Sequence, residues 1–357
     1  MKTVLKDIII ALNLLAVLAL LIAYSSVYIS PAKLWFPAIL GLAYPYLLFL
    51  NILFILYWLF STSKMALLSI LVILLGFNHL QDYFQIKSRK TDKKGLVICS
   101  YNVKNFSGTN DTVKWKNNLI TIRDFLRNKE PDIVCMQEVN FNSLRGFNPF
   151  LTEAGKPDPQ MQTTVADKSG SPVIYTRYPI VNKGEIRFEK TSNMIVFADI
   201  KIEKDTFRIY SCHLQSYRFT NEDINSLDAI SLEDQDKNLE EVHLFGSKLK
   251  RAFIKRSEHA DRLREHINHS PYPVIVCGDF NDTPVSYAYH TVRGQDLKDA
   301  FIESGTGIGN SYLGRLPSFR IDYILHSSKF EGYNFTVDKV NYSDHYPVSC
   351  KLILNSE

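Results

Sequence analysis

Residues Val274–Pro284 read VIVCGDFNDTP. Val274, Ile275 and Val276 are apolar and β-branched, the composition of a strand buried on both faces. Asp279, Asn281 and Asp282 then arrive together, three polar side chains at the end of a buried strand. Turn chemistry explains part of this. Asp282 or Thr283 ahead of Pro284 makes a helix start, a cap followed by proline in the first turn. Asp279 and Asn281 need another reason, and strand ends in α/β sheets are where ligands bind.

The arrangement recurs along the chain. Asn102 follows VICSY, Glu138 follows DIVCMQ, His213 follows FRIYSC, Asp322 opens IDYIL, and Asp344 and His345 precede YPVSC. One polar residue at a strand end is ordinary. Six apolar strands, each delivering a carboxylate, amide or imidazole at a terminus, exceed what turns require.

Metal-assisted attack on a phosphate ester needs such a set. A hard cation such as Mg²⁺, with Mn²⁺ as the alternative, takes oxygen ligands and needs only one or two carboxylates besides water and substrate phosphate. Glu138 suits the central ligand, with Asn102 and Asp344 as supplementary ones. Asp279 suits the group that activates or orients the attacking water. Asn281, His213 and His345 suit the donors that meet the developing charge, and Asp322 can hold a histidine ring by its second nitrogen. Zinc fits less well, because the chain has no H-E-x-x-H and no closely spaced Cys/His set.

The segments SYNVKNF, CMQEV, CHLQS, GDFND, RIDYIL and SDHYPV, in that order, resemble the endonuclease/exonuclease/phosphatase superfamily over about residues 95–355. The resemblance implies a four-layer sandwich, two mixed β-sheets face to face with helices outside. It implies Mg²⁺-dependent cleavage of a phosphodiester or phosphomonoester at the rim of the sheets. By that likeness Glu138 is the metal ligand with Asn102 beside it, and Asp279 and Asn281 are the water-activating and phosphate-orienting pair. Asp322 is the partner of His345, and His213 is a second catalytic histidine. One position departs. Where abasic-site nucleases of the superfamily carry an aspartate two residues after the asparagine, this chain has Lys104, a cation facing phosphate rather than a ligand for a second metal.

Periodicity places the remaining elements. Strands are expected at Leu96–Tyr101, Asp132–Met136, Pro172–Thr176, Met194–Ile202, Phe207–Cys212, Pro273–Cys277, Ile321–His326 and Tyr346–Leu354. Helices are expected at Lys114–Asn128 and Leu249–Ile267. They mix without a regular βαβ period, so a mixed-sheet α/β domain is expected. Ser216–Glu241 is a polar insertion that reads as a surface excursion, or more sharply as a lid or partner loop. The five cysteines, Cys99, Cys135, Cys212, Cys277 and Cys350, lie in apolar runs and read as core thiols in a reducing compartment.

Ahead of residue 95 the composition changes. Residues 8–28, 34–60 and 65–84 are almost free of charge, and a spanning helix needs about 20 apolar residues. Three transmembrane helices within residues 1–86 are expected, then a basic linker, KSRKTDKK at 87–94, suited to anionic headgroups, then the catalytic domain at 95–357. Even fully extended, eight linker residues reach only roughly 26–29 Å. The basic excess on the linker side places the catalytic domain in the cytoplasm by the positive-inside rule. Residues 1–86 hold four lysines and two aspartates and the linker five basic residues and one acid. The whole chain is +4, so residues 95–357 sum to −2. That charge disfavours a bulk nucleic-acid binder. The favoured expectation is a multi-pass membrane phosphoesterase acting on a lipid-type or soluble phosphoester. A membrane-anchored DNase-I-like nuclease is the alternative. A dead binding module is disfavoured by the complete polar set. No protein partner can be read from the residues.

Overall fold

The computed structural model describes residues 2–61, 63–86, 88–106, 112–139, 147, 161–163, 171–228, 235–314 and 319–355. The chain divides into two compact units. One comprises residues 1–83, 216–260 and 282–291; the other comprises 84–215, 261–281 and 292–357. Segments 216–260 and 282–291, expected within the catalytic domain, therefore cluster with the N-terminal helices.

The larger unit is built on two six-stranded sheets. Its strands are β1 (Leu96–Asn102), β2 (Ile133–Val139), β3 (Met161–Thr163), β4 (Ser171–Thr176), β5 (Ile180–Arg187), β6 (Met194–Ile202), β7 (Asp205–His213), β8 (Val274–Asp279), β9 (Leu297–Asp299), β10 (Asp322–Ser327), β11 (Phe330–Val337) and β12 (Val348–Leu354). One sheet runs β11-β12-β1-β2-β4-β3 and the other β5-β6-β7-β8-β10-β9. Each sheet is mixed. β1 and β2 are parallel, as are β7 and β8, and the other pairs are antiparallel.

Alternation along the strands explains the layers. Ile98, Ile133, Cys135 and Ile174 of one sheet meet Val196, Ala198, Ile209, Ile275, Cys277 and Ile324 of the other in one apolar cluster. The residues between them, Cys99, Val134, Met136 and Val173, point the other way and pack with Ile122 and Leu126 of the helix Thr112–Lys129. Such strands have no solvated face, and this is why they read as continuous apolar runs. On the second sheet, His266 of the helix Gln235–Asn268 packs on Phe197 and hydrogen-bonds Tyr210 Oη at 2.8 Å. The architecture is two mixed sheets flanked by helices, as expected. All five cysteines are buried free thiols.

The linker differs from expectation. Lys87 lies outside the described residues, but residues 88–94 are not a free tether. Arg89 pairs with Glu331 at 3.1 Å and lies over the Tyr333 ring. The Thr91 N–H donates to Asn334 Oδ1, and Asn334 Nδ2 donates back to the Thr91 carbonyl, both at 2.8 Å. Backbone groups that water would otherwise satisfy are taken up by β11.

The smaller unit contains the apolar segments. Lys2–Ser25 is one continuous helix. The second and third stretches are not single straight spans. Phe36–Leu42 meets Tyr44–Phe60 at 67°, and Ala66–Leu75 meets Phe77–Tyr83 at 66°. Pro45 sits in the first turn of the second helix, where its ring and missing N–H prevent the preceding helix from continuing. Gly76 marks the other bend, and a Cβ there would overlap the Tyr24 ring. By length and composition the described residues thus hold one to three candidate spans, where three were expected. A buried polar network ties these helices. Asn13 Nδ2 donates to Ser69 Oγ at 2.8 Å, Ser69 Oγ to Asn51 Oδ1 at 3.1 Å, and Trp58 Nε1 to Asn13 Oδ1 at 2.9 Å. Asn51 thus joins helices, as polar side chains do between apolar helices.

The Ser216–Glu241 excursion is partly anchored. Tyr217 and Phe219 stack beside Phe245 and Phe253, next to Ala38 and Leu249. Its middle, residues 229–234, lies outside the described residues. The helix expected from Leu249 begins at Gln235. Beyond Pro284, Ser286 rather than Asp282 or Thr283 caps the helix Tyr287–Arg293, accepting from the Tyr289 N–H at 3.2 Å. Asp282 instead pairs with buried Arg256 at 2.8 Å.

Candidate active site

Strand direction gathers the polar residues. The parallel pairs bring Asn102 and Glu138 to one strand-end edge, and His213 and Asp279 to another. In the second sheet the register sets His213 opposite Asp279 and Asp279 opposite Asp322, three candidate side chains in one row. Two local departures from regular strand geometry shape that row. Gly278 has φ +144°, and a Cβ there would collide with the backbone of Cys212, so only glycine lets β8 approach β7 just before Asp279. Glu138 has φ +55° inside a register shift between β2 and β4, a bulge that re-aims its side chain. Asn281 also has positive φ, which asparagine tolerates better than most residues.

Asn102 Nδ2 donates to Glu138 Oε1 at 3.1 Å and to Asp279 Oδ2 at 3.0 Å, joining the two sheets at the rim. His213 Nε2 lies 3.5 Å from Glu138 Oε1 and 4.0 Å from Asp279 Oδ2. The Asn281 N–H donates to Asp279 Oδ1 at 2.7 Å and its Nδ2 to Asp279 Oδ2 at 3.1 Å. His345 Nδ1 lies 2.9 Å from Asp322 Oδ2, and its Nε2 lies 3.8 Å from Asp279 Oδ2. Two groups of ligand-capable atoms result, Glu138–His213–Asp279 and Asp279–Asp322–His345, with Asp279 common to both.

The electrostatics follow from burial and neighbours. Burial pushes the Asp279 carboxyl up to about 6, with Asp322 adding to it; His345, His213 and the Asn102 hydrogen bond pull the other way. Burial opposes charge on His345, but Asp322, Asp279 and then Asp344 outweigh it and raise the imidazole to about 10. The rim thus holds a carboxylate poised as a proton acceptor beside a histidine held as imidazolium. Burial, then Asp344, Asp279 and Glu138, push the Tyr312 phenol up to about 12.

Seven of the eight expected residues, Asn102, Glu138, His213, Asp279, Asn281, Asp322 and His345, are linked by these contacts. The eighth, Asp344, belongs to neither ligand-capable group; its Oδ2 takes the Lys104 ammonium at 2.5 Å. Lys104 is therefore paired with a carboxylate where a cation facing phosphate was expected. Other residues carry positioning that sequence reasoning did not assign. Ser343 Oγ donates to the Asn102 carbonyl at 2.8 Å, and the Tyr312 ring packs edge-on to His345 at 5.2 Å. Ser311 Oγ accepts from the Asp322 N–H, and buried Gln137 reaches Ser211 Oγ across the sheets, both at 3.2 Å. Ser343 sits inside SDHYPV and Gln137 inside CMQEV, so the motifs could have pointed to them; nothing around Tyr312 does.

Comparison with known proteins agrees with this geometry. The Endonuclease/Exonuclease/phosphatase family profile matches residues 99–345, and a profile described as a domain of unknown function, DUF8431, matches residues 6–83. No curated protein matches the chain. An endonuclease/exonuclease/phosphatase family protein from Bacteroides thetaiotaomicron superposes with a TM-score of 0.53 at 17% identity, over 74% of this chain and 100% of its own. D. rerio TDP2 in complex with a single-strand DNA product superposes with a TM-score of 0.52 at 16% identity, over 73% and 100%. The mannosyl-6-phosphatase Bt3783 of Bacteroides thetaiotaomicron VPI-5482 gives 0.49 at 18% identity, over 72% and 100%. At such identities the first two likenesses establish the fold. The profile, which spans more than half of the chain and ends on His345, establishes more: this chain belongs to the endonuclease/exonuclease/phosphatase family and is a hydrolase of phosphoester bonds.

Proposed function

We propose that the protein is a membrane-anchored, Mg²⁺-dependent phosphoesterase whose substrate is a lipid or lipid-linked phosphoester. The observation that carries the reading is the apolar surface of the first helix. Val4–Ser25 spans 22 residues, about 33 Å at ~1.5 Å per residue, which matches the roughly 30 Å hydrocarbon core of a bilayer. Leu5, Leu12, Leu15 and Leu18 are exposed on it, as are Phe49, Leu67 and Leu74 on the helices that follow. Patches of this kind are covered by lipid or by another protein.

The donor set fits a hard divalent cation. Glu138 is partly exposed, Asn102 brings an amide to the same rim, and both ring nitrogens of buried His213 lack hydrogen-bond partners among the described residues. Bound at Glu138, with Asn102 as a supplementary ligand, such an ion would neutralise phosphoryl charge. The chain's own groups do the rest. Asp279, oriented by Asn102 and Asn281, accepts the proton of the attacking water. His345, kept cationic by Asp322, and Asn281 donate to the phosphoryl oxygens, with His213 beside Glu138 as a further donor.

The test places full-length protein in liposomes and presents phospholipid in the same vesicles, phospholipid in separate vesicles, and a short soluble phosphodiester, all with Mg²⁺. Turnover is expected to be much faster on lipid sharing the protein's own vesicle than on either other substrate. Equal rates on all three, or a preference for added single-stranded DNA, would overturn the lipid reading in favour of a membrane-anchored nuclease.

A further inference from the structure

The smaller unit contains a second cluster of ligand-capable side chains, separate from the phosphoester site. His79 and Asp82 lie three residues apart on the helix Phe77–Tyr83 and so share a face. His290 comes from the helix Tyr287–Arg293. One ring nitrogen of each histidine and one Asp82 oxygen all lie within 4.8 Å of one another. His290 Nε2 is 3.5 Å from Asp82 Oδ2, and the two imidazoles meet edge to face at 5.7 Å.

Two features distinguish this cluster from an ordinary buried ion pair. His79 is 8% exposed, and its Nδ1 and the Nε2 of His290 are both buried without a hydrogen-bond partner among the described residues. Buried imidazole nitrogens are normally satisfied, so two without partners on histidines grouped with one carboxylate call for a shared partner. The second feature is orientation. The His79 ring stacks on Tyr24 at 5.0 Å and meets Tyr44 edge-on, so packing holds it facing the cluster.

We propose that His79, Asp82 and His290 hold a divalent cation of the zinc class, with water in the fourth position. Two imidazoles and one carboxylate suit a borderline ion that accepts nitrogen, whereas Mg²⁺ demands oxygen. Ligands at about 2.0–2.1 Å on a tetrahedral ion stand roughly 3.4 Å apart. The His290–Asp82 pair already has that spacing, and the His290 side chain, 25% exposed, has room to close the remaining distance. The ion would pin the helix Phe77–Tyr83 to the segment that follows GDFND in the chain.

The experiment uses full-length protein in detergent, stripped with chelator and reloaded with Zn²⁺ under excess Mg²⁺, with bound zinc counted by mass spectrometry after desalting. Wild type is expected to retain one zinc per chain that Glu138→Gln also retains. His290→Gln and Asp82→Asn are expected to bind it at least ~10-fold more weakly. With Mg²⁺ already saturating, added Zn²⁺ is expected to raise the wild-type unfolding temperature further, a readout that does not depend on any variant folding. The proposal is overturned if wild type retains no zinc and gains no thermal shift, or if His290→Gln retains zinc and shift unchanged.

Discussion

His345 Nδ1 lies 2.9 Å from Asp322 Oδ2, with both side chains buried. The Asp322 carboxylate holds the ring by one nitrogen and leaves Nε2 directed toward Asp279. Groups that act as a unit share one loss when mutated. The double variant Asp322→Asn/His345→Ala is therefore expected to turn over about as slowly as the slower single variant. Steady-state kinetics of the four proteins decide this; multiplied losses would mean that the two act separately.

Glu138 is the strand-end glutamate of the site, placed there by a bulge with positive φ. Glu138→Gln preserves shape and removes charge. It is expected to lower kcat by at least ~10²-fold, the scale of losing one main electrostatic stabiliser. Calorimetry should show weaker Mg²⁺ binding, and unchanged affinity would remove Glu138 from its ligand role.

Gly278→Ala places a methyl group against the Cys212 backbone at a φ that L-residues avoid. Overpacking and strain together are expected to cost ~1–3 kcal/mol or more, measured by denaturant unfolding. Activity should fall as well, because Asp279 is the next residue. A variant with wild-type stability would show that β7 and β8 can separate there freely.

Away from the site, Glu303 accepts from the Gly332 N–H at 2.6 Å and faces His326 at 3.0 Å. Burial raises its pKa, but the hydrogen bond and charge of His326, then the Gly332 N–H and Lys298, outweigh that and hold it below the ordinary value of 4.5. A carboxyl depressed in the folded state stabilises the fold above its unfolded pKa and loses that contribution as pH falls through the folded value. Thermal unfolding of wild type and Glu303→Gln should therefore differ near neutral pH and converge in acid, as pH falls below the ordinary carboxyl range and through the depressed folded value. A difference that stays constant with pH would rule out this linkage.

Much of the larger unit was legible because its strands are buried on both faces. Runs such as Leu96–Cys99 and Val274–Cys277 are apolar, and each strand then ends on a polar candidate of the site, Asn102 or Asp279. β5 was not legible. It is largely exposed and carries Gly184 in its middle, so no apolar run marks it. β3 and β9 are three residues long, too short for any period to register. The start of the helix at Gln235 was hidden because charged residues there leave no clear apolar stripe.

Local composition alone determined the apolar N-terminal segment, the buried strands and the identities of the polar groups at their ends, because each depends only on neighbours within a turn or a strand length. Tertiary structure decided which of those groups meet. His213 reaches Glu138 because β2 and β7 lie in facing sheets, and Lys104 meets Asp344 from the far end of the same unit's sequence. His79 and Asp82 face His290 across most of the chain's length. Close approach of distant segments is set by packing and strand register, and neither leaves a period or motif for a single sequence to display.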